Sequence, residues 1–242
     1  MKHSFSTIPP AAPSPPLGPS DTPACLPSCH GVCYPKFGHY TAAQVKAYIA
    51  ADLEALGSTI GYIDFLLLHE PSDYVGGDPA SPSAVNETAM IWAAMEEAQR
   101  QQPEKIRALG VSNFNAQLLG ELAKTAVVPP VLNQCRYSAG SKSYEAPTVA
   151  YCNEHNITYQ AYSPLHGQGI ATSPVLAKIA KAHGVSNQVV VLRWITQQGI
   201  PLVTASDSLQ YDLDDLHMFS FRLSDAEMKE VDQYEPSVRV RA

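Results

Sequence analysis

Strand-length apolar runs alternate with segments of helical period along most of this chain, and that alternation limits its fold more than any other feature. Ile60 to Leu68 is an almost unbroken apolar run, the pattern of a strand covered on both faces, as in a parallel sheet lined by helices. Before it, Thr41 can cap a helix in which Val45, Ile49, Leu53 and Leu56 recur at helical spacing, with Gly57 as its end. After it, the chain predicts helices near Glu87 to Gln102, Asn115 to Thr125, Tyr144 to His155, Pro174 to His183 and Asn187 to Gln197. A last helix from Ser224 to Gln233 opens with a Ser-x-x-Glu capping box. The remaining strands are expected at Ile106 to Val111, Pro130 to Gln134, Ile157 to Ala161 and Pro201 to Thr204. Such a sequence belongs to the α/β class, its parallel sheet either doubly wound or closed into a barrel.

The alternation does not reach the start of the chain. Nine of the 20 prolines fall within residues 1–35, where fixed φ and missing N–H groups keep a ladder from forming. Residues 1–40 are therefore expected to be a Pro-rich irregular segment, and residues 41–242 the folded domain. Cys25, Cys29, His30 and Cys33 fall in the first part. Their spacing lacks the two short pairs of a structural zinc site and differs from a haem attachment, so they read as reduced thiols in a loop, with no metal site assigned. The start has no apolar stretch of the kind a secretory signal needs, and no run reaches the roughly 18 residues of a membrane helix. The 16 Lys and Arg form no basic block in a chain of formal charge −7. Neither nucleic acid nor a membrane is an expected partner, and the expected location is cytoplasmic.

In parallel α/β sheets the reactive groups collect at the carboxyl ends of the strands. Those ends carry His69, then Ser112 and Asn113, then Asn133 and Gln134, then Tyr162 and Ser163, and finally Thr204, Ala205 and Ser206. A lone histidine after an apolar strand is more often structural than functional. Five successive polar or aromatic strand ends, however, imply one shared pocket.

These residues also carry a resemblance. Tyr62 to Pro71, with Asp64-Phe65-Leu66-Leu67-Leu68-His69 at its centre, resembles the fourth-strand signature of the aldo-keto reductases. Lys105 to Phe114, with Gly110-Val111-Ser112-Asn113, is similar to their fifth-strand signature. Asn133-Gln134 and Ala161-Tyr162-Ser163-Pro164-Leu165 match the next two in order, and Ala182 to Ser186, Val191 to Trp194 and Phe221 to Met228 extend the likeness. The resemblance covers about Tyr40 to Tyr234 and implies a (β/α)8 barrel of the TIM type that uses NADP or NAD to reduce a small-molecule aldehyde or ketone. It implies a catalytic role for His69, nicotinamide binding by Ser112, Asn113 and Gln134, and ring stacking by Tyr162. Ser163 and Leu165 would lie along the pyrophosphate and Ser206 near the adenosine phosphate.

The likeness also has gaps. Strands four to eight of the barrel are clear, whereas strands one and two have no counterpart. Phe5 to Pro10 only weakly resembles the third, with Thr7 where the family has its lysine. The Asp, Tyr and Lys of the family's catalytic tetrad are thus unmatched, and a substitute from Tyr34, Lys36 or Tyr40 is not expected. The family's 2′-phosphate site is altered at Ala205, Tyr211 and Asp215, and Asp207, Asp212, Asp214 and Asp215 crowd a place that would receive a phosphate dianion. NADH is therefore expected to bind no more weakly than NADPH. Two functions stay open: a reductase with impaired catalysis, or a non-catalytic relative, either a binding or regulatory protein or a truncated gene product. An incomplete barrel also exposes sheet edges, through which self-association is expected.

Overall fold

The structure is a computed structural model and describes residues 32–33, 40–166, 169–206 and 208–234. Five parallel strands pair in chain order: β1 (Val32–Cys33), β2 (Ile63–Leu68), β3 (Ile106–Ser112), β4 (Leu132–Arg136) and β5 (Thr158–Tyr162). Strictly sequential order is the signature of a barrel wall, since a doubly wound sheet reverses order at its centre. The described residues therefore form an arc of a (β/α)8 barrel. Its far side is marked by Leu202, which bridges to Ala161. The Ala161 N–H donates to the Pro201 carbonyl and the Val203 N–H to the Ala161 carbonyl, both at 2.8 Å. The strand expected at Pro201 to Thr204 is thus one bridge. In the opposite direction, Val32 pairs with Leu66 and Cys33 with Leu67, so the sheet reaches into a stretch expected to be irregular. Phe5 to Pro10, Cys25, Cys29, His30, Tyr34 and Lys36 lie outside the described residues.

Helices fill the connections: α1 (Ala42–Ile60), α2 (Pro82–Gln101), α3 (Ala116–Ala123), α4 (Lys142–Glu154), α5 (Pro174–His183), α6 (Asn187–Gln197), α7 (Leu209–Leu216) and α8 (Asp225–Asp232). Thr41 and Gln44 form a capping box on α1, as Ser224 and Glu227 do on α8. At Gly57 the backbone of α1 leaves helical geometry, with φ 59° and ψ −164°, a conformation that costs any residue but glycine dearly. The helix breaks there as its sequence implies, but a further turn follows, which delays the strand to Ile63.

The two faces of the sheet differ. Leu66, Leu68, Leu109, Val111, Cys135, Tyr159 and Ala161 point outward into one core with Ile49, Trp92, Met95, Leu119 and Trp194 of the helices. The alternate positions point inward, where Leu67 and Leu132 close around Gly110. A Cβ on Gly110 would stand 2.5 Å from Leu67 Cδ2 and 2.9 Å from the Leu132 carbonyl oxygen, so only glycine lets β2, β3 and β4 approach this closely.

Helix α7 and the following 3-10 turn (His217–Phe219) were not marked by apolar periodicity. The apolar residues of α7 face outward, with Leu209 73% exposed and Leu216 59%, between the acidic Asp212, Asp214 and Asp215, whereas Met218 of the turn is buried with Val189 and Leu192. Among the described residues no helix is long and apolar enough to cross a membrane.

Candidate active site

The carboxyl ends of β2 to β5 converge through one chain of hydrogen bonds centred on Asn113. This residue follows β3 directly, and its φ of 63° places it in the left-handed region, where asparagine is better tolerated than most residues. The reversal turns its side chain back across the strand ends. Its Nδ2 donates to the His69 carbonyl at 2.8 Å and to Ser112 Oγ at 3.1 Å, while its Oδ1 accepts from the Tyr162 hydroxyl at 2.7 Å. Ser112 Oγ donates to the Gln134 carbonyl at 2.7 Å, and the Asn113 N–H donates to the same oxygen at 3.0 Å. His69, Ser112, Asn113, Gln134 and Tyr162 are thereby brought together, with one residue from β4, one from β5 and the rest from the ends of β2 and β3.

Burial and orientation set what these groups can do. Ser112 and Gln134 are buried, whereas His69, Asn113 and Tyr162 are partly covered. The Nδ1 of His69 is buried and has no hydrogen-bond partner among the described residues, an orphaned polar atom that a ligand or a water would satisfy. Gln134 Nε2 donates to Gln160 Oε1 at 2.7 Å on the inner face. Asn133, by contrast, points outward: its Nδ2 donates to the Phe114 carbonyl at 2.8 Å, which makes it a buried tie between strand and helix layer.

The other proposed positions lie apart from this cluster. Ser163 is exposed at the turn after β5, with φ 50°, and its carbonyl accepts from the His166 N–H at 3.0 Å. Leu165 packs between the two apolar clusters of the core, so its side chain is occupied by packing. Ser206 Oγ accepts from the Ser208 N–H at 2.9 Å and is otherwise turned to the Ser208 carbonyl at 3.2 Å. Tyr211 is exposed on α7, beside the three aspartates. Burial, reinforced by Asp212 and Asp214, pushes the Asp215 carboxyl above the usual carboxylate range. Tyr40 packs against the core edge-on to Tyr48, its N–H donating to Glu87.

Two inner-face residues, Gln160 and Arg136, stand at the cluster without having been singled out. Both were readable from the two-residue period of their strands: Arg136 lies two positions after Gln134, and Gln160 two before Tyr162.

A family model described as the aldo/keto reductase family matches residues 33–236. A 9,11-endoperoxide prostaglandin H2 reductase of Trypanosoma cruzi is 31% identical over 191 residues, covering 77% of this chain and 61% of the relative. An NADPH-dependent codeinone reductase of Papaver somniferum is 33% identical over 184 residues, covering 71% of this chain and 56% of the relative. The chain thus spans less than two thirds of the length of these curated relatives. Among solved structures, an aldo-keto reductase from a Medee basin deep-sea metagenome library superposes with a TM-score of 0.71 at 24% identity, covering 84% of this chain and 70% of that one. An aldo-keto reductase of Bombyx mori in complex with NADP superposes with a TM-score of 0.68 at 25% identity, covering 84% and 67%.

Proposed function

The chain belongs to the aldo/keto reductase family, and on that premise we propose that it binds a reduced nicotinamide dinucleotide at the ends of β2 to β5 and reduces a small aldehyde or ketone there. The observation that carries this reading is the hydrogen-bonded cluster around Asn113. A nicotinamide carboxamide presents one acceptor and one two-hydrogen donor, and Ser112, Asn113 and Gln134 offer both kinds of partner. The orphaned Nδ1 of His69 and the flat wall of Tyr162 also suit such a ligand, so the residues present fit the group. When bound, the nicotinamide supplies the hydride.

The protein's own part is orientation. The Tyr162 hydroxyl, fixed on Asn113, sets the plane of its ring as a platform for an aromatic face. Ser112 locks the register of β3 on β4 and so the height at which the carboxamides stand. His69, tied to Asn113 through its carbonyl, keeps its imidazole available to orient and polarise a substrate carbonyl. Ser163 at the turn and Ser206 beyond the Leu202 bridge extend the same rim, and they are assigned to the cofactor's phosphate end with Leu165 as packing beneath it.

Catalysis by these 242 residues is expected to be slow. Of the family's tetrad only His69 is matched, and a missing positioned acid lowers rates by ~10²–10⁴-fold. Fluorescence titration with NADH, followed by carbonyl-dependent loss of its absorbance, tests the reading. Binding with weak turnover supports it; turnover at the median rate of enzymes, roughly 10 s⁻¹, refutes the impairment, and absence of binding refutes the whole. Binding with no turnover under any condition favours the second reading, a non-catalytic relative, for which the unmatched Asp, Tyr and Lys of the tetrad speak.

The cofactor preference follows from α7. Asp212, Asp214 and Asp215 oppose a 2′-phosphate, so NADH binds no more weakly than NADPH; a tenfold preference for NADPH would remove this assignment. A cytoplasmic location is supported by the buried free thiols of Cys135 and Cys152. Self-association through the barrel edges is supported by the exposed Leu209, Leu213 and Leu216 on α7. Sedimentation velocity checks it, with Leu213→Lys weakening the assembly; a wild-type chain that stays monomeric at every concentration contradicts it.

A further inference from the structure

Positive charge is sparse among the described residues that follow β2 to β5. In the segments that follow β2 to β5 and the Leu202 bridge, residues 69–81, 112–115, 136–142, 162–173 and 203–208, the only lysine or arginine side chains are those of Arg136 and Lys142; Lys36, after β1, lies outside the described residues. Lys142 is held by Asp232 at 2.7 and 2.8 Å. Arg136 is exposed and, among the described residues, has no ion-pair partner.

Its position is defined by the ladder. Arg136 pairs in register with Tyr162, and it follows Gln134 by two residues, on the same inner face and about 6.6 Å nearer the mouth. A substrate whose carbonyl is held near His69, over a nicotinamide stacked on Tyr162, therefore enters past a guanidinium with no ion-pair partner among the described residues, a planar donor fork that matches a carboxylate in two parallel hydrogen bonds. With a chain charge of −7 and no other unpaired lysine or arginine in these segments among the described residues, this group is placed to select among anions.

We infer that Arg136 is the specificity-determining residue of the site and that its substrates are aldehydes or ketones bearing a carboxylate. The carbonyl half of this statement rests on the reductase reading above; anion selection by Arg136 does not. The test uses the full chain, Arg136→Gln and Arg136→Lys, with 4-carboxybenzaldehyde and the neutral 4-methylbenzaldehyde as probes. Binding is measured by ligand-observed NMR with and without saturating NADH, at about 0.02 M and about 0.5 M KCl. Because Arg136 is exposed and unpaired, its replacement leaves the fold intact. Arg136→Gln should weaken the carboxylated probe about tenfold, equal to about 1.4 kcal/mol, and leave the neutral probe unchanged. High salt should weaken the same probe in the wild type, and Arg136→Lys should restore part of the loss.

Equal effects on both probes, or none on either, overturn the inference. A loss of NADH affinity in Arg136→Gln with unchanged selectivity between probes assigns the guanidinium to the cofactor's diphosphate and also overturns it. If NADH binds neither protein, the reductase reading fails, and the probe pair without NADH still decides the role of Arg136.

Discussion

Replacing Asn113 by alanine and by glycine separates the two contributions this residue makes to the rim. Its side chain forms three hydrogen bonds, to the His69 carbonyl, to Ser112 Oγ and from the Tyr162 hydroxyl. Each contributes roughly 0.5–1.5 kcal/mol net in a protein, and because the site is only partly buried, water takes over some of them. A loss of about 2 kcal/mol is therefore expected when the side chain is removed. The backbone adds a second effect: at φ 63° an alanine Cβ crowds the following carbonyl, at roughly 1–2 kcal/mol, whereas glycine carries no such penalty. Asn113→Gly should cost about 2 kcal/mol and Asn113→Ala about 3 kcal/mol. In a chain of this size 1 kcal/mol moves the melting midpoint by roughly 2–4 °C, so thermal unfolding resolves the pair. Both variants should lose NADH affinity equally, since both lack the carboxamide. Identical midpoints for the two variants would refute the backbone strain. A glycine variant as stable as wild type would show that the hydrogen bonds hold nothing together, and unchanged NADH binding would remove Asn113 from the site.

Other outcomes follow from single contacts. Gly110→Ala should destabilise the chain by about 1–3 kcal/mol, because its Cβ meets Leu67 Cδ2 at 2.5 Å and the Leu132 carbonyl at 2.9 Å; an unchanged urea midpoint would contradict that packing. The Glu145 carboxyl accepts from the Tyr159 hydroxyl at 3.0 Å, and burial raises it above the usual carboxylate range, outweighing that bond. The fold thus favours its protonated form, so this contribution to stability is present below the unfolded-state value and is lost as pH rises through the folded one. Glu145→Gln, which keeps an acceptor for Tyr159, should gain stability relative to wild type as pH rises above the ordinary glutamate range of about 4.3. A difference that does not change with pH would sink the assignment.

The fold was legible where local chemistry and tertiary packing ask for the same residue. Thr41, Asn115, Ser173, Ser186 and Ser224 each cap a helix through a side-chain oxygen, and the predicted spans of α5 and α6 coincide with the observed ones. Apolar runs found β2 and β3 because those strands are covered on the outer face by helices and on the inner face by each other's side chains. The signal failed where packing is absent. Helix α7 has apolar residues directed outward, so no core periodicity marks it. Among the described residues the strand at Pro201 to Thr204 pairs on one side only, and its ladder shrinks to the bridge at Leu202. The two residues of β1 join the sheet through backbone pairing with Leu66 and Leu67, which leaves no trace in side-chain pattern.

The site was legible at strand ends and less so inside strands. His69, Ser112 and Asn113 stand where an apolar run stops, and such a discontinuity is visible in sequence. Gln134, Gln160 and Arg136 lie within strands, where only the two-residue alternation distinguishes an inward group from an outward one such as Asn133. That alternation also explains why the cluster is rigid. Every bond that orients Asn113 runs to a strand or strand end: to the His69 carbonyl after β2, to Ser112 on β3, to the Gln134 carbonyl on β4 and from Tyr162 on β5. Loops contribute none of these partners. The geometry of the rim is therefore a property of the β2 to β5 register, and a one-residue slip of β4 would exchange Gln134 for Asn133 on the inner face. The arc from β2 to β5 holds the cluster by itself, whatever stands at the arc's two edges.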